Sequence, residues 1–183
     1  MLKAILSHII DRFERTWSYD ASYMRHILRA APVSFLKFSM ITGLVDRKAA
    51  PAAALAAAGI VGTLLEDCGP CTQISTDIAA AGGVPAPVLR AILKGDEVGM
   101  GEDAALAWRF ARASLARDLE ATDPLREEIV RRWGDRALVA LAMQLTTARM
   151  YPTLKYALGY GKACSKVRVE GEDAPVAHLS LAA

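Results

Sequence analysis

Apolar residues return at intervals of three and four from the start of the chain. Leu2, Ile5, Leu6, Ile9, Ile10 and Phe13 are separated by Lys3, Asp11, Arg12 and Arg15, the periodicity of a helix with one buried face. Asp20 or Ser22 suits the cap of a second helix through Met24, Ile27 and Leu28, which Pro32 ends. Phe35, Leu36, Met40 and Ile41 continue as a third, with Gly43 as its stop. Pro51 suits the first turn of a long Ala-rich helix running to about Leu65, and Cys68-Gly69-Pro70-Cys71 separates it from another that ends at Gly82-Gly83. Pro87 opens a short helix through Leu89, Ile92 and Leu93, and a loop over 95–101 precedes a helix over 103–118. Asp123-Pro124 is the expected start of the next helix, which ends near Trp133-Gly134. The following helix, over 135–150, is expected to break at Tyr151-Pro152 and resume over 154–158. Lys166-Val167-Arg168-Val169 alternates like a strand, but one such run with no evident partner makes no sheet. With no repeat, linker or domain break, the expectation is an all-α, single-domain bundle of eight to ten helices. Residues 1–160 form the helical domain, and 161–183 a C-terminal tail packed on it or at an oligomer interface.

Composition narrows this further. A chain of 183 residues, 53% hydrophobic but only 7% aromatic and rich in alanine, favours close-packed helices. The formal charge is +2, with basic and acidic residues interleaved, so no surplus positive charge is left to neutralise phosphates, and nucleic acid is not an expected partner. The apolar N-terminal stretch is followed by Asp11 and Glu14 with no small-residue cleavage site, which describes an amphipathic helix rather than a signal peptide. The longest uncharged run, 49–65, is mostly alanine and falls short of a bilayer, so no membrane span is expected. Three cysteines cannot all pair within one chain and are few for a secreted scaffold; a reducing cytoplasm fits best.

The segment Leu64-Leu65-Glu66-Asp67-Cys68-Gly69-Pro70-Cys71-Thr72-Gln73 carries the candidate chemistry. Two thiols three residues apart, at a turn that opens a helix, can close a small disulfide without moving the chain. The unpaired amide N–H groups at the helix start favour thiolate over thiol. On these grounds alone Cys68, nearest the free end of the helix, is the more exposed sulfur and the better attacker of an external disulfide. The same Cys-Gly-Pro-Cys string occurs in thioredoxins, but their fold needs strands on both sides, whereas residues 52–65 are dominated by Ala and Leu and no βαβ alternation occurs.

The surroundings resemble instead the alkylhydroperoxidase D-like group of the carboxymuconolactone decarboxylase superfamily, in its peroxidase-related branch. The resemblance rests on a Cys-x-x-Cys between an Ala-rich helix and its successor. It also rests on Trp17-Ser18-Tyr19-Asp20-Ala21-Ser22-Tyr23-Met24 and Ala31-Pro32-Val33-Ser34-Phe35-Leu36-Lys37-Phe38, and it extends to about Gly161. It implies an all-α subunit of a homo-oligomer. The implied activity is reduction of a peroxide or disulfide at the expense of a dithiol reductant such as a lipoyl or thioredoxin-like protein, with no metal or organic cofactor. By the same resemblance Cys71 attacks peroxide to become a sulfenic acid and Cys68 resolves it as a disulfide. Two positions depart from the family pattern: its histidine four residues after the second cysteine is here Ser75, and its upstream glutamate has no counterpart at Ala56 or nearby. Glu66 is the nearest replacement base, although Glu66 and Asp67 would also hold thiols protonated by like-charge repulsion. The opposing expectation is a non-enzymatic helical assembly with a vestigial cysteine pair; lactone decarboxylation is the remaining alternative.

Other chemistry-bearing residues have plainer readings. Cys164 is expected as a small buried hydrophobe, its alternative being a zinc site with Cys68, Cys71 and His178. His8 and His26 are expected to be solvated on helical faces, with relay from another helix as the alternative. Arg131, Arg132 and Arg136 are balanced by Glu127, Glu128 and Asp135. Trp17, Trp108 and Trp133 suit core edges or subunit interfaces, and Tyr151, Tyr156 and Tyr160 suit packing before a pocket wall.

Overall fold

The computed structural model describes residues 2–161 and 166–179. Nine α-helices and one small sheet occur among them: α1 (Leu2–Trp17), α2 (Ser22–Ala30), α3 (Pro32–Ser39), a 3-10 turn (Ile41–Leu44), α4 (Ala52–Leu65), α5 (Gly69–Ala81), α6 (Ala86–Lys94), α7 (Glu102–Ala116), α8 (Leu119–Trp133), α9 (Asp135–Ala157), and a hairpin of β1 (Val167–Val169) and β2 (Glu172–Ala174). The all-α, single-domain bundle expected from the periodicity is what forms.

Its axis is α4, made of alanine, glycine and aliphatic residues on every side and buried without a break from Ala54 to Leu64. Such a helix has no solvent face and must be surrounded; α7, α9 and α5 pack around it. The approach of α9 is close because α4 offers no side chain at two positions. A Cβ on Gly62 would stand 3.2 Å from both Ala148 Cβ and the Leu145 carbonyl, and one on Gly59 would meet the Gln144 amide.

The helices α1, α2 and α3 build a second apolar cluster around Leu6, Ile10, Tyr23, Leu28 and Phe35. Arg25 fastens α2 to α1 through Asp11, at 2.8 Å, and Glu14. Phe13, Tyr19 and Tyr23 meet edge to face, the favoured arrangement of aromatic quadrupoles. The main core and this N-terminal cluster do not close on each other completely, and a cavity of ≈ 500 Å³ remains between them.

Three local expectations are corrected. Helix α8 starts at Leu119 rather than at Asp123-Pro124, because Asp118 takes the cap and its carboxylate accepts the Ala121 N–H at 2.9 Å. Pro124 then falls inside the helix on an exposed side, where water can serve the Glu120 carbonyl left without its donor. Helix α9 does not break at Tyr151-Pro152 but runs through to Ala157. Pro152 removes the N–H due to the Ala148 carbonyl, yet both halves are held by packing: Leu145 and Ala148 are buried before it and Lys155 after it. Finally, the run at 167–169 does find a partner, antiparallel to 172–174 across Glu170-Gly171, with φ of 54° and 81° at the two turn residues. A two-residue hairpin turn requires positive φ at both, which Gly171 meets freely and Glu170 at some cost in strain.

The hairpin is anchored rather than free. Both ends of the Gln73 amide bond the Arg168 backbone, accepting its N–H at 2.7 Å and donating to its carbonyl at 3.0 Å. Arg90 of α6 reaches the Val169 carbonyl and the carboxylates of Glu170 and Glu172. No described helix is long and apolar enough to cross a membrane.

Candidate redox site

The cysteine pair sits where two helices meet with almost no loop. Helix α4 ends with the Cys68 N–H bonded to the Thr63 carbonyl (3.4 Å) and the Asp67 N–H to that of Leu64 (3.1 Å). This is a Schellman ending whose left-handed residue, usually glycine, is here Asp67 with φ 47°. Cys68 is at once the last residue of that motif and the N-cap of α5, its carbonyl accepting the Thr72 N–H (2.9 Å) and hydroxyl (3.1 Å). Pro70 falls in the first turn of α5, where its missing N–H costs nothing. One turn of helix brings Cys71 back toward Cys68: the Cα atoms are 5.2 Å apart and the sulfurs are joined in a disulfide, a separation typical of such bonds.

The two sulfurs differ in access, and in the opposite sense to that expected from position alone. Cys68 is 0% exposed, because the Schellman turn folds it inward, whereas Cys71, 3% exposed, forms part of the cavity wall. One face of α4 (Ala52, Leu55, Ala56, Gly59, Thr63) and one face of α5 (Cys71, Ile74, Ser75, Ile78, Gly82) run along that cavity. Aromatic residues from the N-terminal cluster and Tyr151 of α9 complete it. A mainly apolar enclosure with a few convergent polar groups is the usual form of a small-molecule site.

Polar groups around the pair are tied down. The Glu66 carboxylate, expected as a base, is held by Arg149 of α9, whose Nε lies 2.6 Å away, with a longer contact to the Thr153 hydroxyl at 3.5 Å. Tyr156, exposed on α9, donates to the Asp67 carbonyl at 3.0 Å and braces the residue before Cys68. Ser75 shares the cavity with Cys71, one turn further along α5, and Gln144 lies against Gly59 across it. The hydroxyls of Thr63 and Thr147 are turned back onto their own helix carbonyls.

Deeper in the wall, burial pushes the Tyr19 phenol up to about 12, an effect its hydrogen bond with Tyr23 partly opposes. Burial raises Tyr23 as well, with Tyr19 adding to the shift, and burial also raises Tyr151. Lys155 is buried beside the first two, its Nζ 3.1 Å from the Tyr19 oxygen and 4.9 Å and 5.4 Å from the Tyr19 and Tyr23 ring centroids. A cation over two ring faces is electrostatically favourable where water is excluded. Asp77, on α5, is raised by partial burial against the opposing hydrogen bond from Gln73.

The remaining candidates lie elsewhere. His8 is exposed, and His26 is half-buried against Tyr160, with ring centroids 5.8 Å apart; neither borders the cavity. Cys164, and with it the zinc set it would complete, lies outside the described residues. Among the described residues no three His, Cys, Asp or Glu side chains gather to hold a metal ion. Trp108 is buried in the main core with Arg112 stacked on it, rather than at an edge, while Trp17 and Trp133 are half-buried. Glu128 balances Arg131 and Arg132, but Arg136 pairs with Asp46. Of the three tyrosines, Tyr151 is the one in the cavity wall. Sequence reasoning missed Arg149, Lys155 and Gln144, which all come from α9, and did not foresee the bond from Tyr156 to the Asp67 carbonyl.

No protein-family model, no curated protein and no solved structure matches the chain.

Proposed function

We propose that the chain is a thiol-dependent peroxidase or disulfide oxidoreductase, built like the alkylhydroperoxidase D-like proteins it resembles. The observation that carries this reading is a pair of bonded sulfurs at a helix N-terminus, only one of which, Cys71, borders a cavity. In the reduced state the Cys71 thiolate, favoured by the free N–H groups of the first turn of α5, attacks the terminal oxygen of a hydroperoxide. The O–O bond breaks, the alcohol leaves with one proton, and Cys71 becomes a sulfenic acid. The Cys68 thiol then attacks that sulfur, water departs, and the disulfide is formed. A dithiol of the lipoyl or thioredoxin-like kind attacks the Cys71 sulfur, the one within reach, and after a second exchange leaves as a disulfide with both cysteines reduced. A disulfide substrate is reduced by the same two exchanges in reverse. Glu66, held by Arg149, enters this scheme as a tie between the turn and α9. We place the protein in the cytoplasm as a homo-oligomer; Ile5 and Ile9 of α1, Val33 of α3 and Met40 just past its end, all more than half exposed, are apolar residues that self-association would cover.

A second reading, a non-enzymatic helical assembly with a structural disulfide, is favoured by two features: Ser75 occupies the position where the resembled family has a histidine, and Glu66 is ion-paired. Adding an organic hydroperoxide to the reduced protein separates the two. The enzyme reading expects one alcohol formed and two thiols lost per chain, restored by dithiothreitol. Cys68→Ser should stop at a sulfenic acid on Cys71 that dimedone traps, and Cys71→Ser should be inert. Thiols that remain intact through the same challenge support the assembly.

A further inference from the structure

The same cavity has a shape and a charge that point beyond thiol chemistry. Along α4 it extends from Ala52 to Thr63, about 16 Å at a rise of roughly 1.5 Å per residue. Its ≈ 500 Å³ holds about 17 non-hydrogen atoms, taking roughly the 30 Å³ that one water-sized group fills in a liquid. An extended chain advances about 1.1–1.2 Å per bond, so the length and the volume both describe a single unbranched chain of about 12–16 carbons. The walls are mainly aliphatic and aromatic, with Ser39, Thr42, Ser75 and Gln144 as polar interruptions, and the threonine hydroxyls at positions 63 and 147 are already used by their own helices. One charged side chain, Arg47, borders the cavity among the described residues, and it does so from the loop just before α4, at the opposite end from Cys71. Arg47 is exposed and makes no ion pair with any described residue, unlike its neighbour Asp46, which Arg136 holds.

We infer that this cavity is a binding site for a long-chain monocarboxylate, with its carboxylate against Arg47 and its tail lying along α4 and α5 toward Cys71. A guanidinium offers paired donors that match a carboxylate, and an elongated, mainly apolar cavity behind it selects for chain length. The site uses no thiol chemistry and stands whether or not the cysteine pair turns over.

Calorimetric titration of the oxidised full-length protein with dodecanoate, hexanoate and 1-dodecanol tests it. Dodecanoate should bind saturably at one per chain and at least tenfold more tightly than hexanoate. Arg47→Gln, an exposed substitution that leaves the core untouched, should weaken dodecanoate about tenfold and leave 1-dodecanol unchanged. Ala56→Phe, which fills the middle of the cavity, should abolish binding of both while circular dichroism shows the helical content retained. Absence of saturable dodecanoate binding to the wild-type protein overturns the proposal, as does equal affinity for hexanoate or an Arg47→Gln variant that binds dodecanoate as well as the parent.

Discussion

The ion pair between Glu66 and Arg149 joins the turn that carries the cysteines to the long helix α9, and its removal is a quantitative test of the site's architecture. Glu66 is mostly buried and Arg149 about one-third exposed, with Nε 2.6 Å from the carboxylate. At an effective dielectric near 20, unit charges about 4 Å apart attract by about 4 kcal/mol before desolvation and side-chain ordering are charged against them. Those costs leave about 1–2 kcal/mol of coupling, above the 0–1 kcal/mol of a fully exposed pair. Arg149→Met keeps the alkyl stem that packs beside Gly62 but strands the carboxylate with only Thr153 nearby, so it should lose about 1.5–2.5 kcal/mol. In a chain of this length that lowers Tm by about 3–10 °C. Glu66→Met should cost about as much, and the double variant should recover the coupling. The assay is urea unfolding of the four oxidised proteins in a double-mutant cycle, with alkylation rates measured on the reduced forms. As a tie, the pair predicts that both single variants change thiol reactivity together; a catalytic base predicts that only Glu66→Met does. Additivity within about 0.3 kcal/mol would refute the reasoning.

Gly62→Val places two methyl groups where a Cβ alone already stands 3.2 Å from Ala148 and the Leu145 carbonyl; thermal unfolding should show a loss of about 2–3 kcal/mol from overpacking, and an unchanged Tm would contradict the close α4–α9 approach. Tyr19, Tyr23 and Tyr151 are raised by burial, so ultraviolet titration should find these three ionising above the usual phenol range of about 10. Because their folded-state values exceed the unfolded value of about 10, the stability they contribute is complete below that pH and declines as pH rises toward the folded values. Ionisation of these three at about pH 10, as in a free phenol, would disprove this. Gln73→Ala removes both amide bonds to Arg168 and should cost about 1–2 kcal/mol, with hydrogen exchange quickening over 167–174 and remaining as before in α4.

The helices were legible wherever one local signal dominated. Pro32 and Pro51 open α3 and α4 or stand just before them, Gly95 closes α6, and the continuous small and apolar run of α4 marks a helix enclosed on every side. What escaped were cases in which tertiary contacts outweighed local rules. Pro152 sits in a helix whose two halves are each buried, so packing holds straight what proline alone would break. The hairpin depends on Gln73, 95 residues from Arg168 in sequence, to hold a strand too short to persist alone. At the site, spacing located the disulfide but misjudged which sulfur is accessible. That depends on the Schellman turn at Asp67, which a sequence with aspartate in place of glycine does not announce. The cavity is invisible in the sequence because its walls come from α1 to α5, the 3-10 turn and α9 together.

The most direct test of the central claim is a redox titration of the folded protein in dithiothreitol buffers of graded potential, with thiols at Cys68 and Cys71 counted by alkylation and mass spectrometry. A reversible pair predicts one two-electron transition, about 30 mV per tenfold change in the reduced-to-oxidised ratio, the same from either direction and with Cys71 alkylated before Cys68 in the reduced state. A pair that stays oxidised until the chain unfolds, or one in which Cys68 reacts first, would contradict the account.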